Sequence, residues 1–247
     1  MKMLHFFYSI LAIYLIVVTI HLYSCFHHHE ELRKATKCLL MPFLALIYYL
    51  GCPKEKFSKV ILFAIFFGYL GDVFLIIENL FLLGVASFLI GHLLYIVTFL
   101  IETGLKNYRK NLFVFLLVCL VYFYLESELL KYFRPAIIKA GLWGPLFVYA
   151  SILVALNISS ALYAYCYRNI YSILTYIGSL IFMISDCVLA KQLFSEYNKY
   201  YQIIIMFTYI LAQSLISLGM VNKTDSFELG IINDSLKKII LKLVVYI

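Results

Sequence analysis

The chain has 247 residues, of which 64% are hydrophobic, 18% aromatic and 13% charged. A soluble domain usually has about 45–50% apolar and about 25% charged residues, so this composition excludes one and predicts an integral membrane protein. The net charge of +7 does not indicate nucleic-acid binding, because Lys and Arg lie in short connections between apolar segments, where they suit anionic lipid headgroups.

Eight apolar segments are predicted to be membrane-spanning helices, which need about 17–25 residues, although the second and fifth are short. In chain order they are 4–26, 37–52, 59–77, 80–101, 112–125, 141–167, 170–190 and 200–220. The connections, including 126–140, carry charged and turn-forming residues and are predicted to be loops. The pattern predicts an all-α, polytopic membrane protein with about eight transmembrane helices in a single bundle, residues 1–220.

The two ends of the chain are predicted to lie in the cytoplasm, because Lys and Arg are more numerous on their side. The first segment lacks a small-residue cleavage site, so we expect a retained span rather than a signal peptide. The C-terminal tail, 221–247, ends in a stretch with three Lys residues among Ile, Leu and Val. It is predicted to be either an interfacial amphipathic helix or a frayed segment without a role.

Two aspartates, Asp72 and Asp186, lie inside predicted spans. Membrane proteins rarely keep a carboxylate in hydrocarbon without a partner, a watery cavity or a chemical task. The third and seventh segments run in the same direction, and each aspartate lies roughly 8–9 Å from the same end. Lys37 enters the second segment from that side, so its ammonium group could reach either acid. The sequence therefore predicts a buried site with two acids.

Further polar side chains lie along single faces of other predicted helices, where no water is present to satisfy them. Such residues more often make hydrogen bonds between helices than take part in chemistry. They remain candidates for lining a pocket or orienting water: His92, Tyr95, Tyr149, Asn157 and Gln213.

No metal ion or organic cofactor is predicted. The loop histidines His27, His28 and His29 have no second ligand cluster nearby, and the six cysteines form no Cys-x-x-Cys pair. The chain also lacks the Gly-x-Ser-x-Gly, His-Glu-x-x-His and glycine-rich phosphate-binding motifs. These absences argue against a serine lipase, a zinc protease and a nucleotide-driven pump.

Five short motifs follow one another between residues 37 and 220. They are Lys37 with Pro42, Gly71-Asp72-Val73-Phe74-Leu75, Gly84-x-x-x-Phe88-x-x-x-His92-Leu93-x-Tyr95, Gly178-Ser179-Leu180-x-Phe182-x-x-Ser185-Asp186, and Tyr209-x-x-Ala212-Gln213. In order and spacing, this series resembles the lysoplasmalogenases, a family of YhhN-like membrane proteins.

The resemblance implies an eight-helix hydrolase that cleaves the vinyl-ether bond of lysoplasmalogens, releasing a fatty aldehyde and glycerophosphocholine or glycerophosphoethanolamine. The partners would then be the lysophospholipid substrate and membrane lipids. The reaction needs a proton at the outer alkene carbon and a water at the carbon bonded to oxygen, and two carboxyl groups can divide this work. We expect Asp72 and Asp186 to be catalytic, and which of them donates the proton stays open. The substrate-binding candidates are Lys37, for the phosphate or for keeping one acid ionised, and His92, Tyr95, Tyr149, Asn157 and Gln213.

Two other functions fit the same residues. In a proton-coupled transporter of a small molecule or lipid, Asp72 and Asp186 would carry protons or cations across the membrane, although no convincing internal repeat supports this. In a structural or sensor protein, the acids would only join helices. Release of aldehyde from a lysoplasmalogen distinguishes the hydrolase from both.

Overall fold

The computed structural model describes residues 2–53, 58–195 and 198–221. Over these residues the protein is all-helical, with nine α-helices and no β-strand. The helices are α1 (Lys2–Phe26), α2 (Glu30–Gly51), α3 (Lys59–Phe74), α4 (Phe81–Thr103), α5 (Leu105–Lys110), α6 (Leu112–Lys139), α7 (Trp143–Tyr167), α8 (Ile170–Phe194) and α9 (Tyr201–Val221). The predicted C-terminal tail after Val221 lies outside the described residues.

Six of these helices are long and apolar enough to cross a membrane, namely α1, α4, α6, α7, α8 and α9. This supports a multi-pass membrane protein. The α2 helix carries five charged residues among its first eight, and α3 has 16 residues, which span only about 24 Å. Length and composition therefore do not confirm the predicted count of eight spans.

The α6 helix is twice as long as the segment predicted there, because it continues through residues 126–139. The loop predicted at 126–140 is thus wrong. Apolar side chains at Leu129, Phe133 and Ile137 keep the four-residue spacing of a helix face, and Lys131 pairs with Glu128 at 2.7 Å on the outside. The charged pair Glu128 and Lys131 belongs to the exposed face of the helix, whereas Glu126 is buried.

The α1 helix is fastened to two neighbours by buried polar contacts. It packs against α2 and α9. The His21 Nδ1 atom lies 2.8 Å from Thr36 Oγ1 on α2, and the Tyr14 hydroxyl lies 2.9 Å from the Ser214 hydroxyl on α9. Each contact gives polar atoms a hydrogen-bond partner in the bilayer core, where water is absent.

Small residues allow two helix pairs to approach closely. A Cβ atom added at Gly178 of α8 would lie 2.9 Å from the Ile216 backbone nitrogen of α9. One added at Gly91 of α4 would lie 3.1 Å from the carbonyl oxygen of Ala64 on α3. The pairs α8–α9 and α3–α4 consequently pack backbone against backbone, as small-residue interfaces do in membranes.

Candidate functional site

A cavity of about 360 Å³ lies at one end of the helix bundle. Its lining comes from the first turns of α2, α4, α7 and α9 and from the last part of α3, α6 and α8. These segments meet because successive helices alternate in direction. Most of the lining is apolar, from side chains such as Phe88, Leu130, Phe133 and Phe182. The few polar groups of the lining therefore lie in apolar surroundings.

Asp72 lies in α3, two residues before its end, and is only 1% exposed. The Lys37 ammonium of α2 lies 3.3 Å from its Oδ1 atom. The Tyr209 hydroxyl of α9 donates a hydrogen bond to its Oδ2 atom at 2.8 Å. Three helices thus supply one carboxylate with a counter-charge on one oxygen and a hydrogen bond on the other, and all three residues line the cavity.

Asp186 lies in α8 and is only partly buried, since it also lines the cavity. The Tyr149 hydroxyl of α7 donates a hydrogen bond to its Oδ2 atom at 2.5 Å. Among the described residues, no Lys or Arg forms an ion pair with Asp186. The two acids therefore share one cavity but differ in their partners, a cation and a phenol for Asp72 and a phenol alone for Asp186.

The other predicted site residues fall into two groups. Lys37 and Tyr149 line the cavity. The structure places four buried residues outside the lining, although their helices contribute to it: His92, Tyr95, Asn157 and Gln213.

These four residues are held by ring contacts and hydrogen bonds inside the bundle. The His92 ring lies edge-on to Phe182, with ring centroids 4.7 Å apart, and tilted toward Tyr149 at 5.7 Å. The Tyr95 hydroxyl donates to Gln213 Oε1 at 3.1 Å. Asn157 Oδ1 accepts a hydrogen bond from Ser179 at 3.2 Å. The last two contacts join helices, which is the structural role that the sequence left open for them.

Sequence reasoning missed two charged residues of the cavity. Arg33 lies one turn before Lys37 on α2, and Glu126 lies in the part of α6 that was predicted to be a loop. Arg33 had a usable signal, since residues four apart share a helix face. Glu126 could be predicted as a cavity residue only if the spacing of Leu129, Phe133 and Ile137 is recognised as a continuation of the helix.

The arrangement of titratable groups suits acid–base chemistry in an apolar space. Over the described ranges, no group of three His, Cys, Asp or Glu side chains is placed to hold a metal ion. The two carboxyl groups, the two phenols and Lys37 supply a proton donor, a proton acceptor and a fixed positive charge.

Comparison with known proteins gives one result. The family model described as the YhhN family matches residues 32–220. No curated protein and no solved structure matches the chain. The matched range includes every residue that lines the cavity, from Arg33 to Tyr209, and the whole of α1 lies outside it. The chain belongs to the YhhN family, which includes the lysoplasmalogenases.

Proposed function

We propose that this protein is a lysoplasmalogenase-like hydrolase, which cleaves the vinyl-ether bond of a lysoplasmalogen to a fatty aldehyde and a glycerophospho-alcohol. One observation carries the proposal: Asp72 and Asp186, from α3 and α8, line the same apolar cavity with different partners. Family membership supports the same reaction class.

The partners of the two acids suggest a division of roles. Asp72 faces the Lys37 ammonium at 3.3 Å, and an adjacent cation favours the ionised form of a carboxyl group. The partner of Asp186 among the described residues is the neutral Tyr149 phenol. In an apolar cavity, a carboxyl group without a counter-charge favours its neutral form. Asp186 is therefore the proposed proton donor, and Asp72 is the carboxylate that faces the developing positive charge.

The proposed reaction then proceeds in three steps. Asp186 transfers its proton to the outer alkene carbon, the double bond supplies the electron pair, and an oxocarbenium ion forms on the carbon bonded to oxygen. The Asp72 carboxylate stabilises this cation. Water attacks the same carbon and gives its proton to a carboxylate, and the resulting hemiacetal separates into aldehyde and alcohol. Each positioned acid or base of this kind contributes about 10²–10⁴-fold to the rate.

The volume and the apolar lining of the cavity support a single-chain lipid as substrate. Its volume of about 360 Å³ falls within the range of about 300–1,000 Å³ typical of small-molecule sites. Apolar side chains from α6 and α8, among them Leu129, Leu130 and Leu193, offer surface to a hydrocarbon chain. Arg33 and Lys37, at the start of α2, lie where a phosphate would be held near the end of the bundle.

Aldehyde release tests this function. The purified chain in detergent is given an alkenyl-glycerophospholipid, and the products of wild type, Asp72→Asn and Asp186→Asn are measured by mass spectrometry. Both substitutions keep the shape of the side chain, and Asn can still accept the tyrosine hydrogen bond. We expect folded variants that lose nearly all turnover.

The matched control is Glu128→Gln, which removes an exposed carboxylate paired with Lys131 on α6. It should leave aldehyde release unchanged. If the wild-type protein releases no aldehyde, the hydrolase proposal is wrong, and the proton-coupled transporter becomes the favoured function.

A further inference from the structure

A third carboxyl group, Glu126, faces the cavity and has no assigned task. It is 8% exposed and lines the cavity from α6. The Ser151 hydroxyl of α7 donates to its Oε1 atom at 2.7 Å. No Lys or Arg in the described parts of the chain pairs with it. Membrane proteins rarely keep such an acid without a partner or a task, so its position suggests a partner from outside the chain, and a bound cation would favour its ionised form.

A second acceptor in the same cavity lacks a donor. The Oε1 atom of Gln192, near the end of α8, is buried, and no described residue donates a hydrogen bond to it. Gln192 lines the cavity, and α8 packs against α6, which carries Glu126. Buried acceptors without a donor are uncommon in folded proteins and call for a ligand or water.

The charges of the cavity are unevenly distributed. Its lining cations, Arg33 and Lys37, both lie on α2, which packs against α1, α3 and α9. Glu126 and Gln192 lie on α6 and α8. Lys37 is already paired with Asp72, whereas Arg33 forms no ion pair with a described residue. The cavity thus has a cationic side and a separate side with two acceptors.

We propose that Glu126 and Gln192 bind the primary ammonium group of the substrate's headgroup, with Arg33 on the phosphate, so that the site prefers an ethanolamine lipid to a choline lipid. This inference rests on the proposed function, because it assumes that the cavity holds a lysophospholipid. A zwitterionic headgroup satisfies both sides of the cavity at once.

The preference follows from the kind of group that the two acceptors need. A primary ammonium has three N–H donors, which can serve the Glu126 carboxylate and the Gln192 carbonyl oxygen together. A trimethylammonium group has the same charge and no N–H donor. It would leave the Gln192 oxygen without a hydrogen bond and would place three methyl groups against it. Charge-assisted hydrogen bonds are worth about 1.5–3 kcal/mol, which corresponds to roughly 10–100-fold in affinity.

Binding of ester lipids tests the inference without hydrolysis of a vinyl ether. The full chain in nanodiscs is titrated with lysophosphatidylethanolamine, lysophosphatidylcholine and lysophosphatidic acid of one chain length, in competition with a fluorescent lysophosphatidylethanolamine. Wild type should bind the ethanolamine lipid about tenfold more tightly than the choline lipid. Glu126→Gln keeps an acceptor for Ser151 and removes the charge, so it should abolish this preference and change lysophosphatidic acid binding less than about twofold.

Two further variants make the result decisive. Glu128→Gln, two residues along α6 and exposed, should bind all three lipids as wild type does. Gln192→Leu removes an oxygen that is unpartnered in the free protein, so it should reduce the ethanolamine preference without loss of folding. If Glu126→Gln fails to give a monodisperse protein, the ethanolamine preference of Gln192→Leu is the result that tests the inference. Equal binding of the ethanolamine and choline lipids by wild type, or an unchanged preference in both cavity variants, would overturn the inference.

Kinetics separate this inference from the proposed function. With alkenyl substrates, Glu126→Gln should raise KM for the ethanolamine lipid and leave kcat unchanged. A loss of kcat on every substrate, with unchanged lipid binding, would place Glu126 in the chemical step and overturn the inference. If wild type prefers the ethanolamine lipid in binding but releases no aldehyde, the hydrolase proposal fails and the headgroup preference stands.

Discussion

Replacing Lys37 with Met removes the cation beside Asp72 and keeps a side chain of similar length. At a separation of 3.3 Å and an effective dielectric constant of about 20, the attraction is about 5 kcal/mol. Desolvation of both groups offsets much of this in the intact pair. Breaking a buried pair by removing one partner nevertheless typically costs about 3–5 kcal/mol, because the other charge stays buried and uncompensated.

A double-mutant cycle isolates that cost. Asp72→Asn retains an acceptor for the Tyr209 hydroxyl, and Lys37→Met with Asp72→Asn leaves no charge at the pair. We expect Lys37→Met to lower the free energy of unfolding by about 3–5 kcal/mol, and the double variant to recover most of this loss. Chemical unfolding in detergent, followed by circular dichroism, measures the four proteins. Aldehyde release should be lost in all three variants, because Lys37→Met removes the counter-charge of Asp72 and the other two variants lack the proposed catalytic carboxylate.

Additive effects would refute this reasoning. If Lys37→Met and Asp72→Asn destabilise independently, within about 0.5 kcal/mol, the two groups do not form an energetic pair. A Lys37→Met protein with full turnover would show that Asp72 works without its counter-charge.

Three other predictions concern the hydrogen bonds, the helix packing and the lipid space. Tyr149→Phe and Tyr209→Phe each remove one donor to a proposed catalytic acid, and kcat/KM should fall about 10–100-fold in an aldehyde-release assay. Gly178→Ala should lower the free energy of unfolding by about 1–3 kcal/mol, because its Cβ atom would meet the α9 backbone, whereas Gly144→Ala, in open space, should not destabilise the protein. Ala150→Phe fills part of the cavity and should raise KM for lipids, while Val148→Phe, on the exposed side of α7, should not.

Much of the fold is predictable because apolar length defines the helices. The predicted segment 170–190 begins at the same residue as α8, where the Asn169 side chain accepts from the Ser172 backbone in a capping box. The direction and depth of Asp72 and Asp186 also predict that they approach one end of the bundle. The sequence does not say which acid Lys37 meets, since that depends on how α2 packs against α3 and α9.

The sequence predicts which residues share a helix face, but it does not predict which of them line the cavity, because that depends on the neighbouring helices. His92 and Tyr95 share a helix with cavity residues but do not line the cavity, and His92 instead contacts Phe182 and Tyr149, which do. Asn157 lies two turns beyond Tyr149 on α7, past the level of the cavity. Glu126 was missed for a different reason: the charged residues of 126–140 resemble a loop, although Glu126 lies on the same helix face as Leu129, Phe133 and Ile137, whose spacing continues the helix.

The first helix is linked to Asp72 through its two neighbouring helices. Its Tyr14 and His21 contacts hold α9 and α2, the two helices that bring Tyr209 and Lys37 to Asp72. The whole of α1 precedes the family-matched range, whereas the cavity residues lie within it. A change in α1 that removes either contact would therefore act on the partners of Asp72 through helix packing alone, without replacing any residue of the cavity.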